Sequence, residues 1–399
     1  MDSTEIENKA DCLGCIGQID FRCGRNDEAL ERFKEAEKLY ISVGSTQGRA
    51  DCVQSMGDID LQCGRNKEAL ERFKEAEQLY ISTGSTQGRA NCVRSMGDID
   101  LQCGRNKKAL ERFKEAEELY ISTGSTHGRA DYCVQSMGRI DFRCGRNEEA
   151  LERFKEAEEL YILTGSTVGR ADCVQAMGEV DFQFGRNEEA LGRFREAEEL
   201  YTLTGSTVGR ADCVQAMGRI DFHCGRNEEA LGRFKEAADL YILTGSTVGR
   251  ADCVLAMGWI DFHCGRNEEA LGRFKVAAEL YILTGSTVGR ADCVQAMGEV
   301  DFQFGRNKEA LGRFREAEEL YILMGSTHGR ANCLRAVGEV HFRCGRHEQA
   351  LERFKKAQGL YVYSGDLGSR SYCLDRIAKI DAESGRTGWW CWKRSFKMP

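Results

Sequence analysis

Nineteen cysteines, six histidines and a repeated aspartate are the residues in this 399-residue chain best able to do chemistry. Cys12 and Cys15 form a lone Cys-x-x-Cys, without the second pair that completes a zinc site of that kind. His223 and His263 recur beside Cys224 and Cys264. That pattern reads either as a strained metal bridge between neighbouring elements or as two exposed histidines, and the exposed reading is the expected one. His347-Glu348 is not followed by the second histidine of a metalloprotease helix. Gly-Ser-Thr-Val-Gly-Arg, at 205–210, has the wrong glycine spacing for a phosphate loop and no lysine. No Ser/His/Asp constellation, carboxylate pair or nucleotide fingerprint is found. A non-enzymatic chain with no catalytic residues, cofactor or metal is therefore expected.

The elements that must position these residues come from an internal repeat. A unit of 40 residues begins near 8, 48, 88, 128, 169, 209, 249, 289 and 329, with one extra residue at Tyr132 and a half unit from 369. The single proline is Pro399, which favours helices joined by proline-free turns. In the unit starting at 48, Ala69, Phe73, Ala76 and Tyr80 fall on one narrow stripe of a helix flanked by Leu70 and Leu79, with Asn66 expected at its N-cap. Gly84 then stops the helix, and Ser85 or Thr86 caps the next. In the preceding helix, Ala50, Cys52, Val53, Met56, Gly57, Ile59, Leu61 and Cys63 span an arc of roughly 200°. So wide an arc requires burial on two sides, while Asp51, Gln54, Ser55, Asp58 and Gln62 are left on an open strip. The expected fold is all-α, a helix-turn-helix repeat solenoid of about nine and a half units over 1–384, with a Trp-rich basic tail at 385–399.

On this repeat, ten cysteines share the Cys52 column and seven the Cys63 column. The columns lie about 16 Å apart along one helix, beyond disulfide reach. Phe184 and Phe304 replace cysteine in the second column, so both columns are expected to be reduced core thiols. Asp60 breaks the apolar arc, and so do its equivalents, including Asp181; His341 stands in that column at the unit starting at 329. A carboxylate there needs a partner, and Arg49, Arg65 and Arg72 are the candidates for a bridge that sets how units stack.

Gly57, Gly64, Ala69, Phe73 and Ala76 match the spacing of the tetratricopeptide-repeat signature, and the chain resembles that family over nearly its whole length. The 40-residue period is similar to the family's long-repeat subclass. Asp60 and Asn66 stand where the family usually carries aromatics, and the proline that ends the second helix is missing. The resemblance implies stacked helix pairs and a protein or peptide ligand in the groove lined by the first helices.

Positions that differ between near-identical units are the candidate contacts. On the open strip these are Asp58, Arg139, Glu179, Arg219 and Trp259 in one column, Arg94 and Leu255 in a second, and Arg143, His223 and His263 in a third. Trp259 and Leu255, one turn apart beside Phe262 and His263, read as an apolar anchor for a partner side chain, with neutral drift as the alternative. Asp51 and its equivalents add an acidic edge. Gly192, Gly232, Gly272 and Gly312 replace glutamate in second helices, read as a duplicated neutral change or as close approach by another chain. Trp389, Trp390 and Trp392 beside Lys393 and Arg394 read as a cap on the end of the stack, with membrane-surface contact as the alternative.

A net charge of −8 gives no general attraction for nucleic acid, and no apolar run is long enough for a bilayer. The expected protein is a cytoplasmic, or else nuclear, interaction scaffold that binds a protein or peptide. The alternatives are a self-associating structural array and the sensor portion of a larger NTPase-repeat signalling protein.

Overall fold

The helix Thr46–Gln62 and the helix Asn66–Thr83 form the pair that recurs along the chain. A computed structural model describes residues 2–383, with Asp131 and Tyr132 described by their backbone alone. The regular elements among the described residues are helices, and they form a helix-turn-helix repeat solenoid. The chain divides into two compact units, Met1–Gly205 and Ser206–Pro399, each built of such pairs.

Both turns of the pair end on glycine at positive φ. Gly64 at 73° and Gly84 at 74° take the left-handed conformation that releases the helix end. The following serine starts the next helix, and the Ser246 hydroxyl accepts from the Gly249 backbone N–H at 3.4 Å. At the start of the second helix the expectation for Asn66 is corrected. Arg65 is the N-cap and Asn66 the first helical residue, because the Gly64 turn lets the Arg65 N–H return to the Asp60 carbonyl at 2.8 Å.

Packing within a pair turns on small residues. Ala69, Phe73, Ala76 and Tyr80 are buried, and a Cβ added at Gly57 would stand 2.9 Å from the Phe73 ring. The first helix is thus held against the aromatic stripe of its own partner. Between successive pairs Gly88 does the same job, since a Cβ there would stand 2.5 Å from the Tyr80 ring of the preceding pair. The Gly-Ser-Thr-x-Gly-Arg stretch is therefore more than a helix stop and a cap.

Asp60 is 2% exposed and meets Arg65 at 2.7 Å and Arg72 at 2.7 Å. Asp181 repeats this with Arg186 at 2.6 Å and Arg193 at 2.5 Å. Both arginines belong to the carboxylate's own pair, so the bridge closes a pair and does not set how units stack. Arg49 is not its partner. Arg49 instead reaches Glu37 of the preceding second helix, at 3.4 Å, and Glu75 of its own, and so joins successive units. Arg89, Arg129 and Arg170 make the equivalent two contacts. At His341 the column's carboxylate is replaced by an imidazole whose pKa is lowered by burial and by Arg346 and Arg353.

The cysteine columns differ from each other. Cys52, Cys92, Cys173 and Cys253 are buried, and burial pushes the Cys52 thiol up to about 12, which suppresses thiolate chemistry. Cys63, Cys103, Cys224 and Cys264 are exposed, which corrects the expectation of a second core column. Each is the C-cap of its helix, one residue past the last helical residue. The extra residue at Tyr132 is absorbed as a π-helical turn over Arg129–Val134. One wide turn spares the rest of the helix a 100° rotation, and Cys133, Met137 and Ile140 remain buried as in other units.

Asp181→Asn is expected to lower stability by about 2 kcal/mol and the melting midpoint by roughly 5 °C, because two guanidinium groups lose their shared carboxylate. An unchanged midpoint in thermal circular dichroism would remove the bridge from the account.

Candidate binding groove

The strip left by the first helices is where the repeat varies, and neighbouring first helices adjoin along it. Gln18 donates to the Ser55 hydroxyl at 3.1 Å, and in the second compact unit Arg343 donates to the Phe302 carbonyl at 2.9 Å. Beneath the strip lies the tyrosine of each second helix. The Tyr80 hydroxyl donates to Asp51 at 2.7 Å and Gln54 at 2.8 Å, and Tyr241 donates to Asp212 at 2.5 Å and Gln215 at 3.0 Å. The expected acidic edge at Asp51 is therefore tied down by the fold's own tyrosines. Sequence reasoning missed this link, although a tyrosine in every unit opposite an Asp or Asn was the available signal.

The candidate residues fall into two groups by depth. Arg139, Arg143, Arg219, His223 and His263 are exposed, whereas Asp58, Arg94, Glu179, Leu255 and Trp259 are half-buried. In the first compact unit, Arg94 meets Asp98 one turn on at 3.3 Å. Burial pushes the Asp58 carboxyl up to about 6 against the opposing pull of Arg94, and Asp98 likewise to about 6. These two acids are held in poorly hydrated surroundings.

In the second unit the candidate anchor residues Trp259 and Leu255 pack partly against the fold itself. Trp259 packs edge-on against the buried Phe274 ring at 5.3 Å and against Phe262 at 5.8 Å. Trp259 and Leu255 both lie against a core cluster that includes Ala296 and Val300 of the following first helix. A helical wheel gives the face of a residue but not the side chains that the next unit lays over it. His263 turns its Nδ1 to the Trp259 carbonyl at 2.8 Å and its ring to the edge of Phe222 at 5.4 Å.

A more open region follows. Glu299, Phe302, Arg335, Glu339, Arg343 and Tyr372 line a hollow of about 340 Å³. Arg343 covers the Phe302 ring at 3.8 Å, Arg376 pairs with Glu339 at 2.9 Å, and burial raises the Glu299 carboxyl above its usual range. A second hollow, of about 640 Å³, opens at Gly14 in the first unit. Among the described residues no group of three or more His, Cys, Asp or Glu is placed to hold a metal ion, and no helix is long and apolar enough to cross a membrane. A Cβ at Gly192, Gly232, Gly272 or Gly312 would meet nothing within 4 Å. The Trp389, Trp390 and Trp392 cluster lies outside the described residues.

The buried acids give a stability signature with a definite sign. A carboxyl whose folded pKa exceeds its unfolded one holds an extra proton between about pH 4 and 6, so stability falls as pH rises through that window and stays lower at neutrality. Asp58→Asn should therefore stabilise the protein by about 1 kcal/mol at pH 7 and leave it unchanged near pH 3.5, as read by urea unfolding at both pH values. An equal effect at both would show that burial does not hold the Asp58 carboxyl up.

Comparison with known proteins gives the lineage of this arrangement. A tetratricopeptide-repeat model matches residues 131–202 and 290–361, and a model described as soluble NSF attachment protein matches 19–130. No curated protein sequence matches the chain. Among solved structures, a signal transduction ATPase with numerous domains and a tetratricopeptide repeat sensor, from Pyrococcus horikoshii, aligns with TM-score 0.61 at 14% identity over 89% of this chain and 54% of that one. The chain thus spans about half the length of that protein. The apo form of RapI aligns with TM-score 0.63 at 11% identity, over 84% of this chain and 98% of that one. The apo quorum sensor NprR from B. thuringiensis aligns with TM-score 0.62 at 13% identity, over 86% and 99%. Repeat spacing and helix-pair fold agree with the family model, and residues 131–202 and 290–361 are tetratricopeptide repeats.

Proposed function

We propose that this chain is a non-enzymatic interaction scaffold that holds a protein or peptide segment along the strip formed by its first helices. The observation that carries this reading is where the units differ. The buried glycines, alanines, phenylalanines and tyrosines repeat with little change, while the strip carries exposed Arg139 and Arg143 with half-buried Asp58 and Glu179 in the first compact unit and exposed Arg219 and His223 in the second. Side chains that hold the fold repeat; side chains free to vary are the ones a ligand would read. The likeness to a quorum sensor and to a sensor region supports the reading by analogy of fold. Self-association of the array is the competing structural reading.

A second reading has one observation in its favour. The alignment to about half of a signal transduction ATPase that carries a repeat sensor fits a sensor portion of a larger signalling protein. In that case the same strip would receive the signal.

The test is affinity capture with the intact chain, an Arg139→Glu/Arg143→Glu variant, an Arg219→Glu variant, and a Lys155→Glu/Lys235→Glu control on the second helices, all matched for helicity. A partner kept by the control and weakened at least tenfold by either strip variant is expected. A partner list indifferent to all of them, or a mass that grows with concentration in sedimentation, would replace the scaffold reading with self-association.

A further inference from the structure

A hollow in the first compact unit sits where one unit departs from the rest. The helix Ser3–Arg22 carries Gly14 in the column that holds Gln54, Gln215 and Gln295 in other units. In those units the glutamine fills the strip and its carbonyl accepts from the tyrosine below, as Gln54 does from Tyr80 at 2.8 Å. At Gly14 that side chain is missing, and a Cβ there would meet nothing within 4 Å. The Tyr40 hydroxyl is left to Asp11 at 2.5 Å. The result is an open hollow of about 640 Å³.

Its walls have a definite chemistry. Phe33, Tyr40, Ile19, Cys15 and Cys52 supply apolar surface, and Ile19 is 57% exposed. Asp11 and Asp51 stand at its sides, opposed among the lining residues by Arg22. One helical turn beyond the lining residue Ser55 is Asp58, a half-buried carboxylate. An apolar cavity lined by two carboxylates and one guanidinium, with Asp58 a turn beyond it facing Arg94, suits an apolar group with a positive charge close by.

We propose that the hollow at Gly14 seats an apolar side chain of a bound peptide segment, with a neighbouring lysine or arginine of that segment placed against Asp11, Asp51 and Asp58. This rests on the scaffold reading and gives it a location and a ligand class. An extended segment advances about 3.3 Å per residue, so a basic residue two positions from the apolar one reaches the next first helix.

Three labelled nonapeptides in a Gly/Ser background test it by fluorescence anisotropy: one with leucine two residues before lysine, one with that leucine as serine, and one with that lysine as glutamate. The first is expected to bind at least tenfold tighter than the other two. Gly14→Gln, which installs the side chain of the other units, should fold with equal or higher stability and weaken the first peptide at least tenfold. Asp58→Asn should weaken it severalfold, and Lys235→Glu should leave it unchanged. Equal binding of the three peptides, no binding of any, or binding indifferent to Gly14→Gln overturns the proposal. Binding that survives Gly14→Gln but is lost in Arg139→Glu/Arg143→Glu would overturn the hollow while leaving the scaffold reading intact.

Discussion

Tyr40, Tyr80, Tyr120, Tyr161, Tyr241, Tyr281 and Tyr321, each near the end of a second helix, lie against a glycine of the following first helix, whereas Ser369 takes that place after Tyr361. The Tyr80 ring lies under Gly88 of the following pair, and its hydroxyl reaches back to Asp51 and Gln54 of its own. In the second compact unit Tyr241 lies under Gly249 and holds Asp212 and Gln215 in the same way. A ring that close to a backbone admits no side chain opposite it, so the glycine sets the distance between successive pairs. The hydroxyl sets where the strip sits above them. In these pairs one tyrosine fixes both the packing and the position of the strip.

Two sets of ion pairs act around that contact on different joints. The Asp60 carboxylate receives two arginines from its own pair and locks the turn, whereas Arg49 spans successive second helices through Glu37 and Glu75. The first is buried at the carboxylate, and loss of that carboxylate is costly. The second is more exposed, and each such pair contributes less. Repetition makes both additive along each array, as expected where every pair contacts its neighbours.

The fold was legible because its signals are local and repeated. The Ala69, Phe73, Ala76 and Tyr80 stripe and the glycine at 84 define one helix and its end without reference to anything distant. What stayed hidden depends on the neighbouring unit. The need for glycine at 88 comes from a ring eight residues earlier in another helix, and Trp259 packs against the buried Phe274 ring and the core cluster around it. Cys63 falls outside the core because the packed arc ends at Leu61, two residues before it. The hollow at Gly14 was visible in the sequence as a column exception, but a missing side chain carries no signal until the walls around it are known.

The glycine contact itself is tested most directly by Gly249→Ala compared with Gly272→Ala in chemical unfolding. Both add one methyl to a helix, and by helix propensity alone each should stabilise by about 1 kcal/mol. A Cβ at 249 would stand 2.6 Å from the Tyr241 ring, while one at 272 would meet nothing. The account predicts that Gly272→Ala stabilises and Gly249→Ala destabilises by about 2 kcal/mol or more. Stabilisation by both substitutions would contradict it.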